Sequence, residues 1–597
     1  MTIEHLAVRR TAGMITLRAL AAAVLFVGSL AAHAADANKV LRIASDDIDT
    51  LDPIQAQDYY SQNIISVIYE GLYEWDYLGN PPKAVPRTAV ALPTYSADRK
   101  TWTIKVKPGI FFTDDPAFKG KPRELVAEDY VYAIKRYLDP NLRGGGDPQI
   151  SDLIVGMREM VEAARKPGAK TNYDTSVEGL RALDKHTLQI KLAEPNYPLV
   201  MSMLVIAYGQ AREVVDAANG DIQARAIGTG PYVLKEWQRG SRVVLEANPK
   251  YRPLAFPESS DPALAKLVGS MKGKKLPAIG RVEMSVIAEQ PVRVLEFDRS
   301  KLDYVELRGE AVGRFLKNGE LEPALAKRGV MRIPYASNSV RSLYVNMDDP
   351  VLGGMDNAHV ALRRAMSMAI DVPTLVRVVY NGQAMPTNQI VAPSIAGYDA
   401  NAKKRVYDTA AAAALLDRFG YNKRDAQNYR LQPDGKPLTI VLTIFSDGNV
   451  WREVQTLLKR NMDALGVRLD FKSTPLQDVF KESAQGKFMI NIHGRSATPL
   501  GTIFQTFYST QPGEANESRF KSKDYDRALD AFFVADSDAA RQKAASTMTE
   551  ILQTYAPVMP LLYDVENAFV QPWLMGYHPS RVAAHWQYMD IAPSKTP

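Results

Sequence analysis

The sequence predicts an α/β protein whose sheets are covered by helices. Three observations carry this. Segments with strand alternation recur between segments of helical periodicity along the whole chain. The same rhythm restarts past about residue 340, as though a second body began there. The composition, 46% hydrophobic and 23% charged over 597 residues, suits a globular chain with room for two or three packed domains.

The first segment reads as an export signal. Basic residues run to Arg18, the apolar stretch "ALAAAVLFVGSLAA" follows, and "AHA" ends at Ala34. A charged region, a short apolar region and a small-x-small site together mark a cleaved secretory signal, residues 1–34. The apolar run is too short to span about 30 Å of hydrocarbon comfortably, so an anchor is the weaker reading. The pair Arg9-Arg10 hints at twin-arginine export, but the residues after it match poorly. With no cysteine in the chain, disulfides, thiol catalysis and a cysteine-linked lipid anchor are excluded. The periplasm of a Gram-negative bacterium is the expected location. The net charge of +6 is a small surplus without a basic stripe, so no nucleic-acid partner is expected.

Along the expected mature chain, "KVLRIAS" opens as a strand, and Ile64, Ile65, Ile68 and Leu72 recur at helical spacing. "TWTIKVKPG" alternates Trp102, Ile104 and Val106 with polar neighbours and ends at Pro-Gly, a half-buried strand. "AEDYVYAIKRYLDP" reads as a helix stopped by Pro140, and "HTLQIKL" as a strand. "PYVLKEWQRGSRVVLEANPKY" reads as two strands joined by a glycine-containing turn; "RVEMSVIAE" and "LDYVEL" bracket a helical segment. In the second half, "RSLYVNM", "LTIVLTIF", "VRLDFK" and "KFMINIHG" read as strands. "HVALRRAMSMAI", "TAAAALLDRFGY", "WREVQTLLKRNMDALG" and a segment near Asp538 to Tyr555 read as helices. Gly420 sits where a helix end tolerates left-handed backbone.

Familiar catalytic signatures are missing. There is no HExxH or Cys/His spacing for zinc, no GxSxG elbow, no P-loop and no GxGxxG opening a helix, so neither a metal site nor a cofactor is expected. His493 reads as a structural histidine at a strand end. Dispersed carboxylates leave an exported hydrolase open as an alternative. The glycines of "GTGPY" lead into strand alternation, and Pro231 removes a donor that a phosphate cradle would use. They read as a chain reversal entering a hairpin.

Taken in order, "TLDP", "IYEGLYEWD", "WTIKVKPGIFF", "AEDYVYAIKRYLDP", "IGTGPYVLKEWQRGSRVVLEANPKYR", "RVLEFDRSKLDYVEL", "RRAMSMAIDVPTLVRVVYNGQA" and "PVMPLLY" resemble the family 5 substrate-binding proteins of ABC importers for peptides and nickel. The resemblance runs from about Leu41 to Tyr577. It implies a two-lobed periplasmic binding protein with an extra subdomain, its mixed sheets linked by a hinge. Lobe I would hold 36–78, 204–311 and 566–597, with 79–203 as its subdomain and 312–565 as lobe II. Ligand-bound lobes would close and dock on membrane permease subunits; a monomer is expected, and no enzyme activity. A receptor that senses ligand without transport is the other alternative.

The resemblance also implies where ligand is held. The spacing after "LDP" lands on Tyr59 and Tyr60, whose faces and hydroxyls suit a peptide-like ligand. In lobe II the family's Gly-aromatic-x-x-Asp run corresponds to "HGRSATPLGT": Gly494 matches, Arg495 replaces the aromatic, Ser496 follows, and Thr498 stands where the Asp would be. Without that carboxylate a buried peptide ammonium would lack its partner. Arg495 could instead offer its planar fork to an acidic group, or pair with a structural acid. The loop "GIFFTDDPAFKGKPREL" lacks the family's His-Asp-Gly and is longer, a variation of the subdomain.

Overall fold

The computed structural model describes residues 35–592, apart from 318, 446–448, 512, 514, 536, 581 and 582. The export signal expected at 1–34 lies outside the described residues. Among the described residues, no helix is long and apolar enough to cross a membrane.

The chain folds into two lobes, and the first is built on a four-stranded mixed sheet. Its strand Asp36–Ser45 lies parallel to Ile279–Val286, which continues antiparallel into Arg242–Ala247 and then Tyr232–Gln238. The helix Tyr59–Ile68 starts where the Asp58 carboxylate accepts the Ser61 N–H at 2.7 Å. Its Ile64, Ile65 and Ile68 pack with Leu41, Ile43, Tyr232 and Val282 in one core. A subdomain with a second four-stranded sheet follows. Trp102 and Ile104 of Thr101–Lys105 point inward on alternate residues, as the pattern predicted, onto the helices Ala127–Tyr137 and Tyr197–Ile206.

Two buried carboxylates fasten these parts together. Asp52 of the "LDP" segment takes both guanidinium nitrogens of Arg136, at 2.9 and 3.3 Å, from the subdomain helix. Glu70, just past the helix Tyr59–Ile68, accepts from Arg87 at 2.6 Å and from Arg252 at 2.7 and 2.9 Å. It also accepts from Thr229 and Tyr251, each at 3.0 Å. Burial alone would raise the Glu70 carboxyl. The Arg252 and Arg87 cations, with hydrogen bonds from Arg252 and Thr229, outweigh burial and hold it at about 2.

The same packing explains "GTGPY". A Cβ on Gly228 would lie 2.0 Å from the Ile68 carbonyl oxygen, and one on Gly230 would lie 2.5 Å from that of Val67. The Gly230 N–H donates to Ile68 at 2.8 Å, capping the helix end. The hairpin is present, but these glycines serve close approach of backbone to backbone rather than a left-handed turn.

The second lobe has a larger mixed sheet, whose parallel strands Thr439–Ile444, Arg468–Ser473 and Ile490–Ser496 sit beside two long antiparallel ones. The helices Asn357–Ala369, Asn449–Leu465 and Asp538–Tyr555 cover it around a single large core. Gly420 and Gly466 end helices with φ of +93° and +78°.

The long strands Met331–Val345 and Val558–Val570 belong to both lobes. Their first-lobe halves pair Met331 through Ala336 with Val570 through Val565; their second-lobe halves pair Val340 through Tyr344 with Tyr563 through Val558. Between these runs four residue steps face two, so 337–339 form a bulge at the crossing. Val312, Phe315, Leu325 and Val330, placed in lobe II from the sequence, share a cluster with Val294, Leu307 and Phe569 of the first-lobe side. Away from the crossing, the second lobe touches the subdomain through Lys83–Asp538 at 2.6 Å and Arg541 over the Tyr197 ring at 4.6 Å.

Glu70→Gln is expected to lower stability at pH 7 by on the order of 3 kcal/mol, because it leaves Arg252 without a carboxylate and Arg87 with Glu74 alone. The Glu70 carboxyl is depressed when folded, so its contribution is present above its unfolded value near 4.5 and lost as pH falls toward 2. Urea midpoints measured from pH 7 down to 2 should therefore show a shallower acid decline in the variant; parallel curves would contradict the assignment. Gly228→Ala is expected to destabilise by about 1–3 kcal/mol through backbone overlap, read from the same midpoints.

Candidate ligand cleft

In open α/β sheets, ligands gather outside the carboxyl ends of parallel strands. In the first lobe those ends are Ser45 and Val286, followed by Asp46 and the segment leading to Arg293. They open on a cavity of about 320 Å3 lined by Asp46, Tyr59, Tyr60, Arg293, Glu306 and Glu566, among others. Arg293 is its fixed point, with only 7% of its surface exposed. Its guanidinium donates to the Ile287 carbonyl at 2.5 Å, to the Tyr60 hydroxyl at 3.0 Å and to the Asp46 carboxylate. Tyr59 and Tyr60 occupy the first turn of their helix with rings 5.5 Å apart, edge to face.

A second cavity, of about 370 Å3, takes its walls from both lobes. Tyr77, Asn80 and His578 come from the first, Tyr335 and Asn338 from the crossing strand, and Ser394 and Pro499 from the second. Two contacts join the cavities: Tyr59 donates to the Ser580 carbonyl at 3.3 Å, and Tyr335 donates to Glu566 at 3.3 Å. The Ser394 hydroxyl is buried and has no hydrogen-bond partner among the described residues. On the second-lobe side of the bulge, Arg341 bonds the Tyr380 hydroxyl, stands 3.6 Å from Asp564, and lies 5.6 Å from the centre of the Trp451 ring. The cleft thus offers fixed charges of both signs between aromatic faces.

The residues singled out on the second lobe stand at the other side of the crossing. Ser496, Arg495 and Gly494 pair with Ser339, Val340 and Arg341, which puts the carboxyl end of their strand at the bulge. Arg495 donates to the buried Glu517 at 3.2 Å and to the Ala515 carbonyl at 3.4 Å, with its charge 5.6 Å from the centre of the Tyr344 ring. Glu517 also holds His493 at 3.0 Å, and that ring stacks on Tyr344 with centroids 4.4 Å apart. Burial would raise the Glu517 carboxyl, but His493, then Arg495, and the Asn491 amide hold it below its ordinary value. His493 is therefore a satisfied structural histidine. Thr498 shares a hydrogen bond of 2.8 Å with Thr502 at the start of a short helix. Neither cavity is lined by any of Gly494, Arg495, Ser496 or Thr498.

Sequence reasoning missed Arg293, Glu306, Tyr335, Ser394 and Glu566. Arg293 carried one faint signal, as the cation in the otherwise apolar run "PVRVL". The others meet only because the crossing strands bring them together.

Residues 83–516 match the model of the bacterial extracellular solute-binding proteins, family 5. The chain belongs to this family. Among proteins similar to this family 5 chain, the di/tripeptide-binding protein 2 of Pseudomonas aeruginosa is 22% identical over 82% of this chain and 83% of its own length. The periplasmic oligopeptide-binding protein of Salmonella typhimurium is 22% identical over 94% of this chain and 96% of its own. A periplasmic murein tripeptide binding protein, solved in its unliganded open form, superposes with a TM-score of 0.69 at 20% identity, covering 94% of this chain and 98% of that one. That superposition bears on the fold, and the lobes and crossing described above fit it.

Glu517→Gln is expected to loosen the end of the family 5 chain's second-lobe sheet, since it leaves Arg495 without its carboxylate. Hydrogen exchange should quicken across 490–496 and stay unchanged across 36–45; equal rates in both strands of the variant and the parent would contradict the network.

Proposed function

We propose that this chain is the periplasmic solute-binding component of an ABC importer, and that it captures a peptide or peptide-like solute between its lobes for delivery to the membrane permease. The observation that carries the reading is the cavity walled by both lobes at the bulged crossing, beside fixed Arg293, Asp46 and Glu306. A solute bearing an ammonium and a carboxylate finds opposite charges at fixed places there. It contacts both lobes only when they close, so binding shifts the population toward the closed form. The names of the relatives that bind di- and tripeptides, oligopeptides and a murein tripeptide support the same solute class.

In this reading Tyr59 and Tyr60 flank the ligand on the first lobe, and Gly494, Arg495, Ser496 and Thr498 form the facing rim. Arg293 supplies the anchoring cation. Arg293 lines the first-lobe cavity whereas Arg495 lines neither cavity and holds the buried Glu517, so the part of Arg495 in binding is secondary. The protein acts as a monomer, exported to the periplasm.

The test is calorimetry with dipeptides to pentapeptides, with the mixture analysed afterwards by mass spectrometry. Saturable binding of intact peptide is expected. Arg293→Met is expected to weaken it at least tenfold, and Arg495→Ala by less than threefold. Binding of none of these peptides, or their hydrolysis on turnover, would overturn the reading.

A further inference from the structure

A cavity of about 640 Å3 lies away from the cleft and wholly within the second lobe. Its size falls in the range of small-molecule sites. It shares no residue with either cleft cavity. Its walls come from the helices Asn357–Ala369 and Asp538–Tyr555, the loop at 403–406 and the start of the strand Val558–Val570.

The charge on those walls is one-sided. Arg364, Lys403, Lys404 and Arg405 line the cavity, against the single carboxylate of Asp408. That carboxylate is occupied in accepting the Ala411 N–H at 2.8 Å, as the cap of the helix Thr409–Arg418. None of the four cations forms an ion pair among the described residues, whereas Arg87, Arg136 and Arg430 in the two lobes all hold carboxylates. Arg405 is fixed in place: its guanidinium donates to the Pro560 carbonyl at 2.7 Å and to the Ser367 carbonyl at 2.6 Å. Its Nε is shut off from solvent without a partner, as is the hydroxyl of the buried Thr549. Burial pulls the Arg405 guanidinium down to about 10, and no carboxylate opposes it. Met368, Ile390 and Leu552 give the remaining wall an apolar face.

Arg405 is half-buried, and a guanidinium whose Nε is shut off from solvent with no counter-charge is costly to maintain; an anion at the site would offset that cost. We propose that this cavity is a second ligand site, which takes a small organic anion: a carboxylate on a short apolar body. Arg405 sets the charged end, Lys403, Lys404 and Arg364 draw the anion in at the mouth, and the apolar wall covers the body.

Octanoate is the probe, titrated calorimetrically into the full chain, with octylammonium as the arm of opposite charge and the same body. Saturable one-to-one binding of octanoate is expected, with octylammonium at least tenfold weaker. Arg405→Met is expected to lower octanoate affinity at least tenfold. Because Arg405 also holds two carbonyls, Ala411→Phe is the companion variant: it narrows the mouth from an exposed helix position and keeps the backbone cap. It too is expected to cost at least tenfold, with an unchanged unfolding midpoint. No binding of octanoate, equal binding of octylammonium, or octanoate affinity untouched by Ala411→Phe would each overturn the proposal.

Discussion

Glu70 emerges from the end of a helix into a space where no water reaches, and four side chains from three other chain segments converge on it with five hydrogen bonds. An isolated carboxylate there would be neutralised or expelled. Two guanidiniums, a threonine hydroxyl and a tyrosine hydroxyl make the charged form the stable one. Segments at 70, 87, 229 and 251–252 are thereby held at one point, and the hairpin carrying Thr229 is pressed against the helix end closely enough to require Gly228 and Gly230. Asp52 does the same on a smaller scale, tying the loop ahead of Tyr59 to the subdomain through Arg136. These ion pairs fix the chain on either side of the helix Tyr59–Ile68, which carries Tyr59 and Tyr60 into the first-lobe cavity.

The two lobes, by contrast, share a ribbon of two strands. The ladder of these two strands has a smaller register shift between Arg341 and Ser342 and its wider break at 337–339. Backbone pairing is lost there, so bending is concentrated there. The carboxyl ends of both parallel sets, at Ser45 and Val286 on one side and Ser496 on the other, open near this weak point. A solute bridging them acts on the ribbon with the greatest effect. The Lys83–Asp538 pair is exposed on both sides and opposes such bending weakly, whereas Leu500 of the second lobe is buried among subdomain residues and is the apolar contact that bending must disturb.

Much of this was legible in the residues. The alternation in 101–105 and the amphipathic run at 538–555 gave their elements directly, because each buries a single face. The strand Val558–Val570 was not recognised: it is buried on both faces, shows no alternation and carries Pro560. The helix Tyr197–Ile206 is apolar all round and shows no period either. The first-lobe side of the cleft was half visible, through Tyr59 and Tyr60. Arg293, Tyr335 and Glu566 are far apart in sequence and meet only across the crossing strands, which no local pattern encodes. Arg495 was visible as an unusual residue, yet its partner Glu517, 22 positions on, was not.

Closure about the ribbon is the central claim, and the cysteine-free chain lets it be measured directly. Spin labels at Ser241→Cys and Lys472→Cys, both exposed and both near the carboxyl ends of the parallel strands of their lobes, report the width of the cleft by pulsed electron paramagnetic resonance. Saturating peptide should shorten and narrow the distance distribution. Identical distributions with and without bound peptide would contradict the account.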